Sequence, residues 1–165
     1  MTETMVRMGE YAFSASAGDV LVSLGLGSCI GLALLDRRAA VAGLAHVVLP
    51  AAEGRDAPPG KYADTAVPAL LDAVLELGAR QSRLEAVLVG GASMFSFGGN
   101  GLDVGQRNDA AVREELARLR IPIVAAETGG SKGRTVRLDV ETGVVTSKAA
   151  GDAAVELYPK VLVVA

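Results

Sequence analysis

Residues Val20–Asp36 read VLVSLGLGSCIGLALLD. Two apolar runs flank a glycine-rich hinge, and the hinge holds Cys29, the only cysteine of the chain. Runs of this length, bounded by Gly or Asp, suit strands better than helices. The hinge leads into a strand rather than a helix, so it does not match the phosphate-cradling loops that open helices.

Outward from the hinge, VRMGEYAFSA, Asp19 to Leu24, Ile30 to Leu35 and Val41 to Leu49 all read as strands. Ala51 to Gly60 is a loop with a Pro-Pro-Gly break. Val67, Leu70, Leu71, Val74 and Leu75 fall at helical spacing, with Asp64 and Gly78 as expected caps and Pro68 near the first turn. Leu84 to Val89 is a strand that runs into the Gly-rich stretch GGASMFSFGGNGLDVGQ. A second helix follows, with Asn108 as its expected cap, a stripe of Val112, Leu116 and Leu119, and a Glu114–Arg118 pair. Ile121 to Ala126 is a strand, and GRTVRLDVETGVVTSK is a hairpin turning at Glu141-Thr142-Gly143. The tail ends in VLVVA, an edge-strand candidate. This order predicts an α+β or layered α/β fold, with two helices flanking largely antiparallel β layers.

The chain has 165 residues, which suits one domain spanning 1–165. Half of it is hydrophobic and only 4% is aromatic, so the core is built from Val, Leu and Ala. The net charge of −3 offers no basic footprint for nucleic acid or an anionic membrane. No segment reaches the roughly 18 uninterrupted apolar residues of a membrane span, and MTETMVRMGEY lacks a secretory signal pattern. One Cys and one His cannot build the usual structural zinc sites. The reading is a reduced cytosolic protein without metal or cofactor.

Chemistry then narrows to Cys29 and His46. If the strands on either side of Arg37-Arg38 pair as a hairpin, residues near Cys29 lie opposite residues near His46. An imidazole beside a thiol favours the reactive thiolate. Gly25 and Gly27 allow unusual backbone angles, so the turn can aim successive N–H groups at one oxyanion. Ser23, Asp36 and Asp64 are the candidates to orient the imidazole. The plainer alternative is a buried Cys and a satisfied core His.

LGLGSCIGLALLD, GLAHVVLP, GKYADTAVPALL, VGGASMF, GQRN and IPIVAAETGGSKGRTV occur in the order seen in the chemoreceptor glutamine deamidases, the CheD family. The resemblance runs from about Met8 to Gly143. It implies a cysteine hydrolase with a fold like that of toxin deamidases, converting chemoreceptor glutamines to glutamate. It assigns the nucleophile to Cys29 and the base to His46. The third position, a Thr in the family, is Ser23 here. The hydroxyl is kept and can bond the imidazole, but Ser is less stiff at χ1, so a slower enzyme is expected. AAETGG departs from the family's more frequent Asp at that point. Backbone N–H groups of Gly27 to Cys29, Ser28 included, would hold the oxyanion. Gly90, Gly91, Ser93 and Met94 would form a wall of the substrate cleft, Arg107 and Asn108 would brace the loop, and Gly129, Gly130 and Arg134 would form a nearby turn.

The partners implied are the cytoplasmic helical region of chemoreceptors and a CheC-type phosphatase. Three functions compete: deamidase, a binding module for that phosphatase, and a hydrolase of receptor methyl esters. An activated Cys29 is expected to alkylate well below the ordinary thiol pKa of about 8.5.

Overall fold

The computed structural model describes residues 2–93 and 103–159. Met94 and the VLVVA tail lie outside the described residues. The strands are β1 (Thr2–Met5), β2 (Tyr11–Ser14), β3 (Asp19–Leu26), β4 (Ile30–Asp36), β5 (Val41–Val47), β6 (Glu85–Gly90), β7 (Ile123–Thr128), β8 (Arg134–Asp139), β9 (Val145–Ala149) and β10 (Val155–Tyr158). The helices are α1 (Ala63–Glu76) and α2 (Val104–Arg118).

The strands form two sheets, ordered β1-β3-β8-β9-β10 and β2-β5-β4-β6-β7. Most pairs are antiparallel, as expected; β1–β3 and β6–β7 are parallel. The β6–β7 pair is parallel because α2 carries the chain back to the end where β6 began. Of VRMGEYAFSA, read as one strand from the sequence, only Tyr11–Ser14 is strand, and β1 precedes that stretch. β1 joins β3, and β2 joins β5.

Side-chain alternation along β4 and β5 builds two cores. Ile30, Leu32, Leu34, Val41, Ala45 and Val47 face α1 and α2. Ala33, Leu35, Ala42 and Leu44 face the other sheet, where they meet Leu21, Leu26, Val136 and Leu138. Helices therefore cover one face of one sheet, and the second sheet covers its other face. Gly43 has no room for a side chain: an added Cβ would lie 2.6 Å from Leu70 of α1.

Helix ends differ from the sequence reading. Tyr62 occupies the N-cap of α1, which places Pro68 inside the helix. Asp64 lies in the first turn and accepts the Ala52 N–H at 3.0 Å. Asp103 caps α2 through a reciprocal capping box with Gln106, while Asn108 is buried within the helix. Arg118 pairs with Glu115, three residues before it, rather than with Glu114 four residues before. The hairpin between β8 and β9 turns as expected, with Gly143 at φ +73°.

Candidate active site

β4 and β5 pair antiparallel, with Gly31 opposite His46 and Asp36 opposite Val41. The His46 N–H donates to the Glu10 carbonyl at 2.9 Å, and the His46 carbonyl accepts the Gly9 N–H at 2.9 Å. Both main-chain groups of His46 thus point away from β4. His46 and Gly31 then form the non-hydrogen-bonded type of pair, in which side chains stand closer. Cys29 lies two residues before Gly31, on the same face and diagonal to His46. That face looks into the space between the sheets, where Cys29 packs with the second core. Cys29 is 8% exposed and His46 is 4% exposed. No thiol–imidazole hydrogen bond is formed among the described residues.

The imidazole is oriented by the main chain. His46 Nδ1 lies 3.0 Å from the Val6 carbonyl oxygen. A carbonyl only accepts, so Nδ1 carries the hydrogen and Nε2 keeps its lone pair. The Ser23 hydroxyl donates to the same oxygen at 2.8 Å. The expected hydroxyl–imidazole bond is thus replaced by a shared acceptor. The reason is topological: β1 runs parallel beside β3, and its continuation is pinned by the Val6 N–H on the Val22 carbonyl at 2.7 Å. This continuation supplies Val6 as the atom between Ser23 and His46. Sequence reading missed Val6 because a backbone acceptor has no side-chain signature.

Neither carboxylate candidate reaches the ring. Asp36 ends β4, seven residues from Cys29 or about 23 Å along the strand. It is fully buried there and pairs with Arg83 at 2.9 Å. Asp64 is engaged at the start of α1, as described above.

The 27–29 turn is gripped through three successive carbonyls. Gly27 accepts the Ala92 N–H at 2.8 Å and Cys29 accepts the Gly91 N–H at 2.8 Å. Ser28 accepts Asn108 Nδ2 at 2.9 Å. No main-chain acceptor among the described residues meets the N–H groups of Gly27, Ser28 or Cys29. Gly27 does not adopt a positive φ, and Gly25 does, at +58°. Gly25 sits in an exposed bulge of β3, where the pairing with β8 shifts between Ser23 and Leu26, and not in the turn itself.

Gly90 and Gly91 lie against this turn. Gly90 has φ +114°, and a Cβ there would lie 2.2 Å from the Cys29 carbonyl oxygen. Gly91 has φ +64° and packs on Ile30 and the backbone of Gly105. The Ser93 N–H donates to the Gly130 carbonyl at 2.8 Å, and its hydroxyl hydrogen-bonds Asp103. Arg134 Nη1 donates to the carbonyls of Gly129 at 2.8 Å and Gly90 at 3.3 Å. Glu127, in the segment that departs from the family pattern, lies 3.3 Å from Arg134 Nε. Arg107 is exposed, whereas Asn108 braces the turn.

Burial sets the resting protonation states. It pushes the Cys29 thiol above its ordinary pKa. It pushes His46 below its ordinary value, against the smaller upward pulls of the Val6 carbonyl and Glu10. Both effects favour neutral thiol and neutral imidazole in the free protein. An open groove of about 510 Å³ borders the segment that holds His46, with Met5, Met8, Glu10, Tyr11 and Pro58 in its wall.

The arrangement places near one another a thiol, an imidazole with a fixed tautomer, and a braced turn whose N–H groups meet no main-chain acceptor among the described residues. The family model for CheD, chemotactic sensory transduction, matches residues 48–149. The chain belongs to the CheD family. It is 47% identical over 151 residues to the probable chemoreceptor glutamine deamidase CheD of Symbiobacterium thermophilum, covering 88% of this chain and 92% of that protein. It is 42% identical over 147 residues to the chemoreceptor glutamine deamidase CheD of Thermotoga maritima, covering 89% and 92%. Among solved structures, a Neisseria meningitidis protein of the DUF152 family aligns with a TM-score of 0.47 at 11% identity, over 77% of this chain and 62% of that one. No helix among the described residues is long and apolar enough to cross a membrane.

Proposed function

We propose that the protein is a protein-glutamine deamidase acting on the cytoplasmic helical region of chemoreceptors, with Cys29 as nucleophile and His46 as base. The carrying observation is the fixed His46 tautomer. Nδ1–H is held by the Val6 carbonyl, so Nε2 is the nitrogen free to take a proton. Membership of the CheD family and the names of the relatives support the substrate class.

The chemistry follows from two neutral partners. His46 Nε2 takes the thiol proton as the sulfur attacks the carboxamide carbon of a bound glutamine. The carbonyl π pair becomes an oxyanion, which the N–H groups of the Cys29 turn stabilise. The C–N bond then breaks, and protonated His46 gives its proton to the departing ammonia. The thioester that remains is attacked by water, with His46 again taking a proton. Glutamate is released and the thiol is restored. Each cycle replaces a neutral side chain with an anion on a receptor helix. That changes like-charge repulsion between packed helices and can bias a two-state receptor.

Incubation of receptor fragments with wild type and with Cys29→Ala tests this reading. Ammonia release and Gln-to-Glu conversion, followed by mass spectrometry, should occur with wild type alone. Equal conversion by both proteins would refute the assignment.

A further inference from the structure

Asn108 is fully buried on α2, four residues before Val112 on the face that packs against the sheet. A carboxamide is a poor choice there on stability alone. Asn is a weak helix former, and a buried amide has several hydrogen-bonding sites to satisfy. Both Nδ2 hydrogens are used: one on the Ser28 carbonyl at 2.9 Å and one on the Val48 carbonyl at 2.9 Å. Carbonyls cannot donate, so the amide has only this orientation. Its Oδ1 is buried with no partner among the described residues. A residue kept for packing alone would not carry that unsatisfied acceptor.

The identity of the two carbonyls is informative. The Ser28 carbonyl is one edge of a planar peptide unit whose other edge is the Cys29 N–H, and the two point in opposite directions. Gripping the carbonyl from the α2 side aims that N–H the other way. A hydrogen bond accepted by the carbonyl also polarises the N–H and makes it a better donor. The Val48 carbonyl lies two residues beyond His46, just past the end of β5. A single side chain therefore ties the turn carrying the nucleophile to the strand carrying the base.

We propose that Asn108 is a positioning residue for oxyanion stabilisation: it aims and polarises the Cys29 N–H through the Ser28 carbonyl and holds this donor in register with His46. The inference rests on the deamidase reading. Misaiming one donor of an oxyanion site lowers kcat by roughly ten- to a hundred-fold, somewhat less than deleting one outright.

The test compares full-length wild type with Asn108→Ala and Asn108→Gln on receptor fragments, and measures alkylation of Cys29 by iodoacetamide on the same samples. Alkylation needs the thiol but no oxyanion. The expected result is a kcat lowered roughly ten- to a hundred-fold with KM little changed, alkylation within about twofold of wild type, and partial recovery in the Gln variant. A kcat within about twofold of wild type would overturn the proposal, and so would equal losses in deamidation and alkylation, which mark a scaffold role. Should the variants not fold, hydrogen exchange in wild type decides: slow exchange of the Asn108 side-chain amide supports the clamp, and solvent-rate exchange overturns it. An inactive wild type would instead refute the deamidase reading, separately from the role of Asn108.

Discussion

Ser23 and His46 are joined through a single atom, the Val6 carbonyl oxygen, which accepts from the Ser23 hydroxyl at 2.8 Å and from the His46 ring at 3.0 Å. The ring is therefore oriented by main chain, and the hydroxyl stiffens the acceptor rather than the ring. Ser23→Ala should lose about 1 kcal/mol of stability, the usual worth of one hydrogen bond, measurable by urea unfolding. Ser23→Thr should leave deamidation within about threefold of wild type, because Val6 already pins the hydroxyl and χ1 stiffness adds little. A large gain from the Thr variant would show that the third group acts on the ring directly.

His46 is the only histidine, so its ring resonances need no assignment by mutagenesis. Burial disfavours the imidazolium, and the folded chain binds this proton less readily than the unfolded chain. The NMR titration midpoint should lie below the ordinary value of about 6.5, and the acidic limb of kcat/KM should follow it. The contribution of His46 to stability is fully present above that ordinary value. It is lost as pH falls through the lower folded value.

Cys29 moves in the opposite direction. In the free protein, iodoacetamide alkylation should have its midpoint above the ordinary thiol value of about 8.5. This reverses the expectation from the sequence, since desolvation acts on the thiol and no imidazole hydrogen bond offsets it. Stability linked to Cys29 is present below the ordinary value and is lost as pH rises through the folded one. An alkylation midpoint below 8, the region of activated thiols, would mean that a thiolate–imidazolium pair forms before substrate arrives.

Gly90→Ala should be strongly destabilising and should abolish deamidation. The added Cβ meets the Cys29 carbonyl oxygen at 2.2 Å, and φ +114° is strained for any L side chain. Thermal unfolding together with ammonia release measures both effects.

Asp36 provides a control remote from the site. Burial pushes its carboxyl up, but Arg83 and the N–H groups of Arg80 and Ala39 more than offset this, leaving it below the usual range. Arg83→Met leaves a buried carboxylate without its cation and should cost roughly 3 kcal/mol in urea unfolding. The pH profile of deamidation should not move. The stability Asp36 contributes is present above its unfolded value and is lost as pH falls through the lower folded one.

The strand–helix order, the two helices, the β8–β9 hairpin and the proximity of Cys29 to His46 were legible in the sequence. Each depends on short-range pattern: alternation, helical spacing and a hairpin short enough to count across. Asn108 reads from the sequence as a helix cap and a loop brace; extending the buried stripe of Val112 and Leu116 back by one helical step places it inside the helix instead. The sequence by itself thus marked the candidate chemical residues and paired the strands on which two of them converge. Only the tertiary structure decided how they are held and in what charge state. The ring-orienting atom belongs to Val6, delivered by a parallel strand pairing that no local pattern encodes. The grip on the nucleophile turn comes from Gly91, Ala92 and Asn108, more than sixty residues further along the chain. Main-chain acceptors and burial are properties of the folded arrangement, because every residue carries the same carbonyl and desolvation arises only when other side chains close around a group.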